Sequence, residues 1–162
     1  MKKFLVPAVV ALAAAVAVYG GFALLHCTSA GLLEPDNGTV VARGEAVYGR
    51  NCASCHGRYL EGQPEWQTPD RDGFMPAPPH DENGHTWHHP DQLLFNITKF
   101  GVVKAANLKD YKTRMPAFEG VLSDDDIVAV LSFIKSRWPE DVRRRHDGLN
   151  RAYARRAQAA RP

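Results

Sequence analysis

The chain has 162 residues, three of them cysteines, and a formal net charge of +2. Three cysteines exclude a zinc ribbon, which needs two Cys pairs. The net charge conceals a division along the chain. Residues 31–140 carry 16 acidic residues against 11 lysines and arginines, whereas residues 141–162 carry seven arginines against two aspartates. The central part is therefore mildly acidic and the carboxy-terminal part is basic.

The amino-terminal segment, residues 1–30, is predicted to be a membrane anchor. Lys2 and Lys3 precede an uncharged, largely apolar run of 22 residues, Phe4–Leu25. A helix of about 20 residues spans a bilayer core, whereas the apolar region of a signal peptide has about 7 to 15 residues. The lysines favour a cytoplasmic amino terminus, which places the rest of the chain outside the cytoplasm and excludes nucleic acid as a partner. Cleavage after Ala30 is the alternative, and the segment would then be a signal peptide.

The next segment, residues 31–38, is predicted to be a linker, and a short helical pattern follows over Val41–Tyr48. After it stands Cys52-Ala-Ser-Cys55-His56. Two cysteines separated by two residues and followed by histidine are the attachment signature of a c-type haem. The two thiols can add to the vinyl groups of one porphyrin, and the imidazole can bind its iron. One such motif predicts one haem.

The alternative interpretations of this motif are a thioredoxin-like redox pair and half of a zinc site. A redox pair of that kind should follow a strand in a βαβ unit, but no Val/Ile-rich strand precedes Cys52 in the sequence. A zinc site would need a second Cys pair, and the remaining cysteine, Cys27, lies far upstream in the apolar segment. The haem signature is therefore the interpretation that the sequence favours.

A histidine-rich loop bounded by proline and glycine follows the motif. Four of the chain's seven histidines, His80, His85, His88 and His89, lie within ten residues. Such a density is typical of a metal site, and imidazole suits copper, zinc or nickel. His85 and His88 are three residues apart and could share a helical face, with His80 as a third ligand. The alternative is that these side chains and Trp87 cover a haem edge and bond its propionates or the loop itself.

A further helix is predicted from Pro90 to Phe100, ended by Gly101. Iron in an electron-transfer haem usually has a second axial ligand, and a methionine raises the potential relative to a second histidine. Beyond the first residue, the methionines are Met75 and Met115, each followed by proline. Either one could ligate iron, and either one could be an ordinary packed methionine.

The clearest helix signal begins at Ser123, which is a good N-cap. The three aspartates that follow place negative charge at the positive end of the helix dipole, and Pro139 ends the helix. Its apolar residues recur at i, i+3, i+4, i+7 and i+11, which predicts one buried stripe. We expect this stripe to pack against Val41, Gly44 and Tyr48, since Gly44 lets two helix backbones approach closely. The stripe consists of Ile127, Val130, Leu131, Ile134 and Trp138.

The carboxy-terminal segment, residues 141–162, is rich in arginine and alanine and poor in apolar residues. It is predicted to be a helix or a disordered extension outside the core. A solvated tail is the simplest interpretation. Contact with anionic lipid or with an acidic redox partner is the alternative.

These motifs together resemble the class I, or mitochondrial-type, cytochromes c of bacteria, over roughly residues 40–138. The resemblance implies an all-α fold of three to five helices around one covalently attached haem c. It also implies that the first helix ends in the haem motif and is crossed by the last helix. The matching positions are Cys52 and Cys55 for the thioether links, His56 and Met115 for the axial iron ligands, Pro116 for the distal loop, and Gly44 and Tyr48 for the helix contact.

The sequence thus predicts an electron-transfer protein, not an enzyme, anchored in a bacterial inner membrane with its haem domain, residues 39–140, in the periplasm. It would carry single electrons between redox partner proteins or within a respiratory membrane complex. Two alternatives stay open. One is an accessory protein that captures copper through the His80–His89 loop. The other is a haem c subunit of a membrane oxidoreductase complex.

Overall fold

The structure is a computed structural model that describes residues 31–160. Within that range, no helix is long and apolar enough to cross a membrane. The predicted anchor, residues 1–30, lies outside the described residues and stays a prediction. The described elements, in chain order, are helix α1 Gly38–Asn51, helix α2 Ala53–His56, strand β1 Phe74–Met75, a 3-10 helix Thr86–His88, helix α3 Asp91–Phe100, helix α4 Val102–Ala105, strand β2 Lys112–Thr113, helix α5 Asp124–Ser136 and helix α6 Glu140–Ala159.

Helices α1 and α5 pack against each other in the core, and both carry side-chain N-caps. The Asn37 side chain accepts hydrogen bonds from two backbone N–H groups in the first turn of α1. The Ser123 hydroxyl accepts the backbone N–H of Asp126, which confirms the predicted start of α5. The apolar stripe of this helix and the tryptophan after it are buried as predicted, each between 0% and 5% exposed.

The contact between these two helices depends on Gly44. A Cβ atom at this position would overlap the carbonyl oxygen of Ala129, so the backbones of α1 and α5 approach too closely for any larger residue. One turn later, the rings of Tyr48 and Phe133 lie 5.5 Å apart between centroids. The predicted pairing of the first and last helices of the cytochrome-like region is therefore present.

Helix α3 follows its prediction closely, whereas the small sheet was not predicted. The helix begins at Asp91, with Pro90 in the N-cap position, and ends at Phe100 before Gly101. Strands β1 and β2 pair in parallel over two residues each. A strand of two residues is too short to show an alternating pattern in sequence. Apart from this pair, the described regular structure is helical, as expected for the all-α class.

Residues 31–38 pack onto the fold, so their prediction as a linker is wrong. Leu33 is 5% exposed and belongs to the hydrophobic core. Its backbone N–H donates to the carboxylate of Asp91 over 3.3 Å, and the backbone N–H of Glu34 donates to the hydroxyl of Ser132 over 2.9 Å. These bonds to α3 and α5 fix the segment that enters the domain.

The first half of helix α6 also belongs to the core, which corrects the prediction of an extension outside it. Val142 is 7% exposed and His146 is fully buried. His146 Nε2 donates to the carbonyl oxygen of His89 over 2.9 Å, and Asn150 Nδ2 donates to Asp91 over 2.9 Å. The folded domain therefore continues about ten residues beyond the predicted boundary at residue 140.

Candidate functional site

The Cys52-to-His56 motif lies where α1 ends and the single turn of α2 follows. No strand precedes it in the described chain, as the redox-pair interpretation would require. The next residue, Gly57, has a φ of +82°, a left-handed conformation that suits glycine, and it reverses the chain directly after His56. The Tyr48 hydroxyl donates to the Gly57 carbonyl oxygen over 2.9 Å, which ties α1 to this turn. The motif is therefore held by the same helix that packs on α5.

The His56 imidazole is buried, at 7% exposed, and its orientation is fixed by one hydrogen bond. Nδ1 lies 2.9 Å from the carbonyl oxygen of Pro78. A carbonyl can only accept, so Nδ1 carries the proton and Nε2 keeps a free lone pair. Burial lowers the pKa of His56, although the Pro78 carbonyl opposes that shift. The result is a neutral imidazole with one nitrogen available for a metal, the arrangement that metal-ligating histidines usually show.

The two thiols of the motif are free and differ in environment. Cys52 is half-buried and Cys55 is exposed. Burial, together with the neighbouring Cys55, raises the pKa of Cys52 to about 11. A raised pKa is the opposite of what a redox-active or nucleophilic cysteine needs. The raised pKa of the Cys52 thiol therefore disfavours disulfide exchange at this residue.

A cavity of about 720 Å³ adjoins the motif. Both thiols and His56 line it, and helices α3 and α5 supply apolar side chains to its wall. This volume lies in the range of cofactor pockets, which are mostly apolar with a few placed polar groups. Its apolar lining includes Leu93, Leu94, Ile97, Val102, Phe118, Val130, Leu131 and Ile134.

Both candidate methionines, Met75 and Met115, line this cavity. They are brought together by Thr113, which is the β-ladder partner of Met75 and whose hydroxyl accepts the backbone N–H of Met115 over 3.0 Å. The sequence could not have shown this, because the two residues are 40 positions apart. The assignment of Met115 as the iron ligand stays a prediction.

The loop that carries Met115 is attached to the chain before β1 by Arg114. Its guanidinium donates to the Asp70 carboxylate over 2.5 Å and lies 4.0 Å from the centroid of the Phe74 ring. The hydrogen bond from Arg114 lowers the pKa of Asp70, so this carboxylate stays ionised. Sequence analysis gave no role to these residues, since a contact between two loops leaves no periodic signal.

The histidine-rich loop is divided between the cavity and the surface. His80, His85 and His89 line the cavity, and the ring of His80 stacks on that of His56, with 4.1 Å between centroids. Burial, followed by the neighbouring His56 and His85, lowers the pKa of His80 well below its usual value, which keeps it neutral. His88 is exposed and stacks on Trp87. The part of the loop that lines the cavity fits the alternative interpretation, in which its side chains cover a haem edge.

The proposed copper site gains no support from this arrangement. Across residues 31–160, no three His, Cys, Asp or Glu side chains are placed to hold one metal ion together. His85 stacks on Trp66, with ring centroids 5.1 Å apart, whereas His88 stacks on Trp87, with centroids 3.7 Å apart. His85 and His88, which the sequence allows to share a helical face, therefore lie against different tryptophans.

The residues around the cavity fit a covalently attached haem. Cys52 and Cys55 would hold the porphyrin edge, and His56 Nε2 is free to bind iron. Met75 and Met115 offer thioether ligands within the same cavity. The described residues contain no fully buried side-chain polar atom that lacks a hydrogen-bond partner.

Comparison with known proteins agrees with this chemistry. The family model described as cytochrome c matches residues 41–138. The chain belongs to the cytochrome c family, which implies electron transfer through a covalently bound haem. It is also similar to the cbb3-type cytochrome c oxidase subunit FixP of Bradyrhizobium diazoefficiens, with 29% identity over 97 residues. That alignment covers 59% of this chain and 29% of the relative. No solved structure matches the chain.

Proposed function

We propose that this cytochrome carries single electrons through a haem iron ligated by His56 and Met115. The cavity that contains both side chains, next to the two motif thiols, is the observation that carries the proposal. A haem bound there gains and loses one electron at a time without making or breaking bonds to a substrate. The protein's part is to hold the His56 ring through Pro78, to present a thioether, and to exclude water with apolar side chains.

Two side-chain ligands leave no open position on the iron, so we expect no small ligand to bind. Carbon monoxide added to the reduced protein should leave its spectrum unchanged. The matched control is Met115→Ala, which removes one ligand and should bind carbon monoxide. Stoichiometric binding by the unaltered protein would contradict the proposal, because it would require a free or easily displaced axial position.

The proposed location is the periplasmic face of a bacterial inner membrane, through an anchor at Phe4–Leu25. The length of this apolar run and the two preceding lysines support the proposal. Membrane fractionation and mass spectrometry of the mature protein test it. We expect an intact amino terminus and release by detergent only. A mature terminus at Gly31 with a soluble product would contradict it.

A second candidate, compatible with the first, is a haem c subunit of a membrane oxidoreductase complex. The similarity to a subunit of a cbb3-type oxidase favours it, although this chain spans less than a third of that relative. A tagged chain purified from detergent-solubilised membranes should then bring a larger oxidoreductase with it in a fixed ratio. Recovery of the tagged chain alone, with its haem, would favour a separate electron carrier.

A further inference from the structure

The second half of helix α6 carries a cluster of arginines that the fold does not use. From Arg151 onward the helix side chains are exposed except Ala152, which is half-buried. Among residues 31–160, no ion pair involves Arg151, Arg155 or Arg156. The three arginines in the first half are paired instead, Arg143 with Asp36, Arg144 with Glu140 and Arg145 with Asp141.

This arginine cluster begins where the chain enters the domain. Asn150, the residue before the cluster, donates to one oxygen of the Asp91 carboxylate, while the other oxygen accepts the backbone N–H of Leu33. Gly31 lies against the same carboxylate, since a Cβ there would be 3.0 Å from Asp91 Oδ2. The start of the described chain and the start of the arginine cluster are therefore both anchored on Asp91.

The number of residues between the apolar run and Gly31 limits how far the arginine cluster can lie from the membrane. Only residues 26–30 separate the apolar run from Gly31, and five residues span at most about 18 Å. The helix rises about 9 Å between Asn150 and Arg156. If the apolar run crosses a bilayer, this chain length allows the arginines to reach its surface.

We propose that Arg151, Arg155 and Arg156 dock on anionic phospholipid headgroups at the surface of the membrane that holds the anchor. The proposal rests on the proposed anchor at residues 4–25. Each arginine near such a surface contributes about a fivefold gain in binding, so three contribute about a hundredfold. Tyr153, which is 46% exposed beside them, is an aromatic residue of the kind found at membrane interfaces.

The charge distribution would also orient the domain. Residues 31–140 carry five more acidic than basic residues and are repelled by an anionic surface, whereas the tail is attracted to it. Such a dipolar arrangement turns α6 toward the lipid and the acidic part away. An acidic protein could match the arginine charge equally well, but it would not explain why the cluster lies beside the entering chain. Lipid is therefore the favoured partner.

Hydrogen exchange of the full-length, haem-loaded protein in lipid nanodiscs tests the proposal. The amides of residues 151–159 should exchange more slowly in bilayers that contain phosphatidylglycerol than in pure phosphatidylcholine. The variant Arg151→Gln, Arg155→Gln, Arg156→Gln should lose this difference. The matched control, Arg143→Gln, Arg144→Gln, Arg145→Gln, removes the same charge from the paired half and should keep it.

The possible outcomes separate this proposal from the anchor. Failure to enter either bilayer would overturn the anchor and the docking together. Entry into both bilayers with equal exchange would overturn the docking alone. Protection by poly-glutamate in solution, without protection on phosphatidylglycerol, would assign the arginines to an acidic protein and would also overturn the lipid proposal.

Discussion

The imidazole of His80 lies face to face with that of His56, with 4.1 Å between ring centroids and an interplanar angle of 22°. His80 is itself fixed, because its Nδ1 lies 2.8 Å from the Thr86 hydroxyl and its carbonyl oxygen accepts the Trp138 indole N–H over 2.7 Å. The candidate iron ligand is therefore held by a hydrogen bond to Pro78 and by a packed ring. A residue of the histidine-rich loop thus acts on the haem motif by packing.

We predict that His80→Ala lowers the free energy of unfolding of the haem-loaded protein by about 1–3 kcal/mol, since it removes a ring stack and leaves a cavity. His80→Phe keeps a ring at this position and should recover part of the loss. Denaturant unfolding measures both. The control is His88→Ala, which removes a stack on Trp87 at an exposed position and should change stability by no more than about 0.5 kcal/mol. Equal losses at positions 80 and 88 would contradict a special role for the stack.

The contact between α1 and α5 gives a second prediction. Gly44→Ala should lower the free energy of unfolding by about 1–3 kcal/mol, because the new Cβ would overlap the Ala129 carbonyl and the helices would have to separate. Gly49 lies in the same helix, and a Cβ there meets nothing within 4 Å. Gly49→Ala should therefore stabilise the protein by about 0.5–1 kcal/mol. Similar effects of the two substitutions would contradict the close contact.

The buried His146 predicts a loss of stability in acid. Burial, with the nearby positive charge of Lys135, lowers the pKa of His146 in the folded protein, although Asp91 opposes the shift. The unfolded chain then takes up a proton near pH 6.5, the ordinary histidine value, while the folded chain does not. Stability from this group is thus present above about pH 6.5 and is lost as the pH falls below it, by up to about 1.4 kcal/mol per pH unit.

His146→Gln tests that prediction, because glutamine stays neutral and can still donate to the His89 carbonyl. The unaltered protein should lose stability relative to the variant as the pH falls from neutral to about 5. The sign of the difference matters more than its size at any one pH. Parallel profiles, or a relative gain by the unaltered protein, would show that His146 accepts its proton without cost.

The core of the domain was predictable from sequence because its signals are local and periodic. The Ser123 cap, the three aspartates and the stripe from Ile127 to Ile134 belong to one helix, and Trp138 lies two residues after its end. The Cys-X-X-Cys-His spacing by itself indicates attachment of a c-type haem. Such features need no knowledge of distant parts of the chain.

Helix α6 and the entering segment were not predictable, because each places only one apolar residue in the core and the rest of their contacts are polar. Val142 and His146 are buried, Asn150 is half-buried, and the three are spaced by four along α6. Two of them are polar, so hydrophobic periodicity does not detect them. Leu33 is the one buried apolar residue of the entering segment, and its own N–H and that of Glu34 bond to α3 and α5. The spacing of four between Val142, His146 and Asn150 is the sequence signal that could have revealed the packing of α6 on the domain.

The stack of His80 on His56 was missed for a related reason. Four histidines in ten residues suggested a metal, since composition does not show which rings face one another. The His80 ring meets His56 because the proline-rich segment 76–80 passes over the motif, where the Pro78 carbonyl also bonds His56. This is a tertiary contact. The sequence shows the prolines of the segment but not which residues they bring together.

The iron ligation itself is tested most directly by comparing Met115→Ala with Met75→Ala in the haem-loaded protein. Both side chains line the same cavity, so the two variants make similar changes in its volume and differ in the ligand removed. We predict that Met115→Ala abolishes the weak far-red charge-transfer band of the oxidised protein and lowers its reduction potential, because thioether ligation raises the potential. Met75→Ala should keep both. An intact band in Met115→Ala, together with its loss in Met75→Ala, would contradict the proposed ligation.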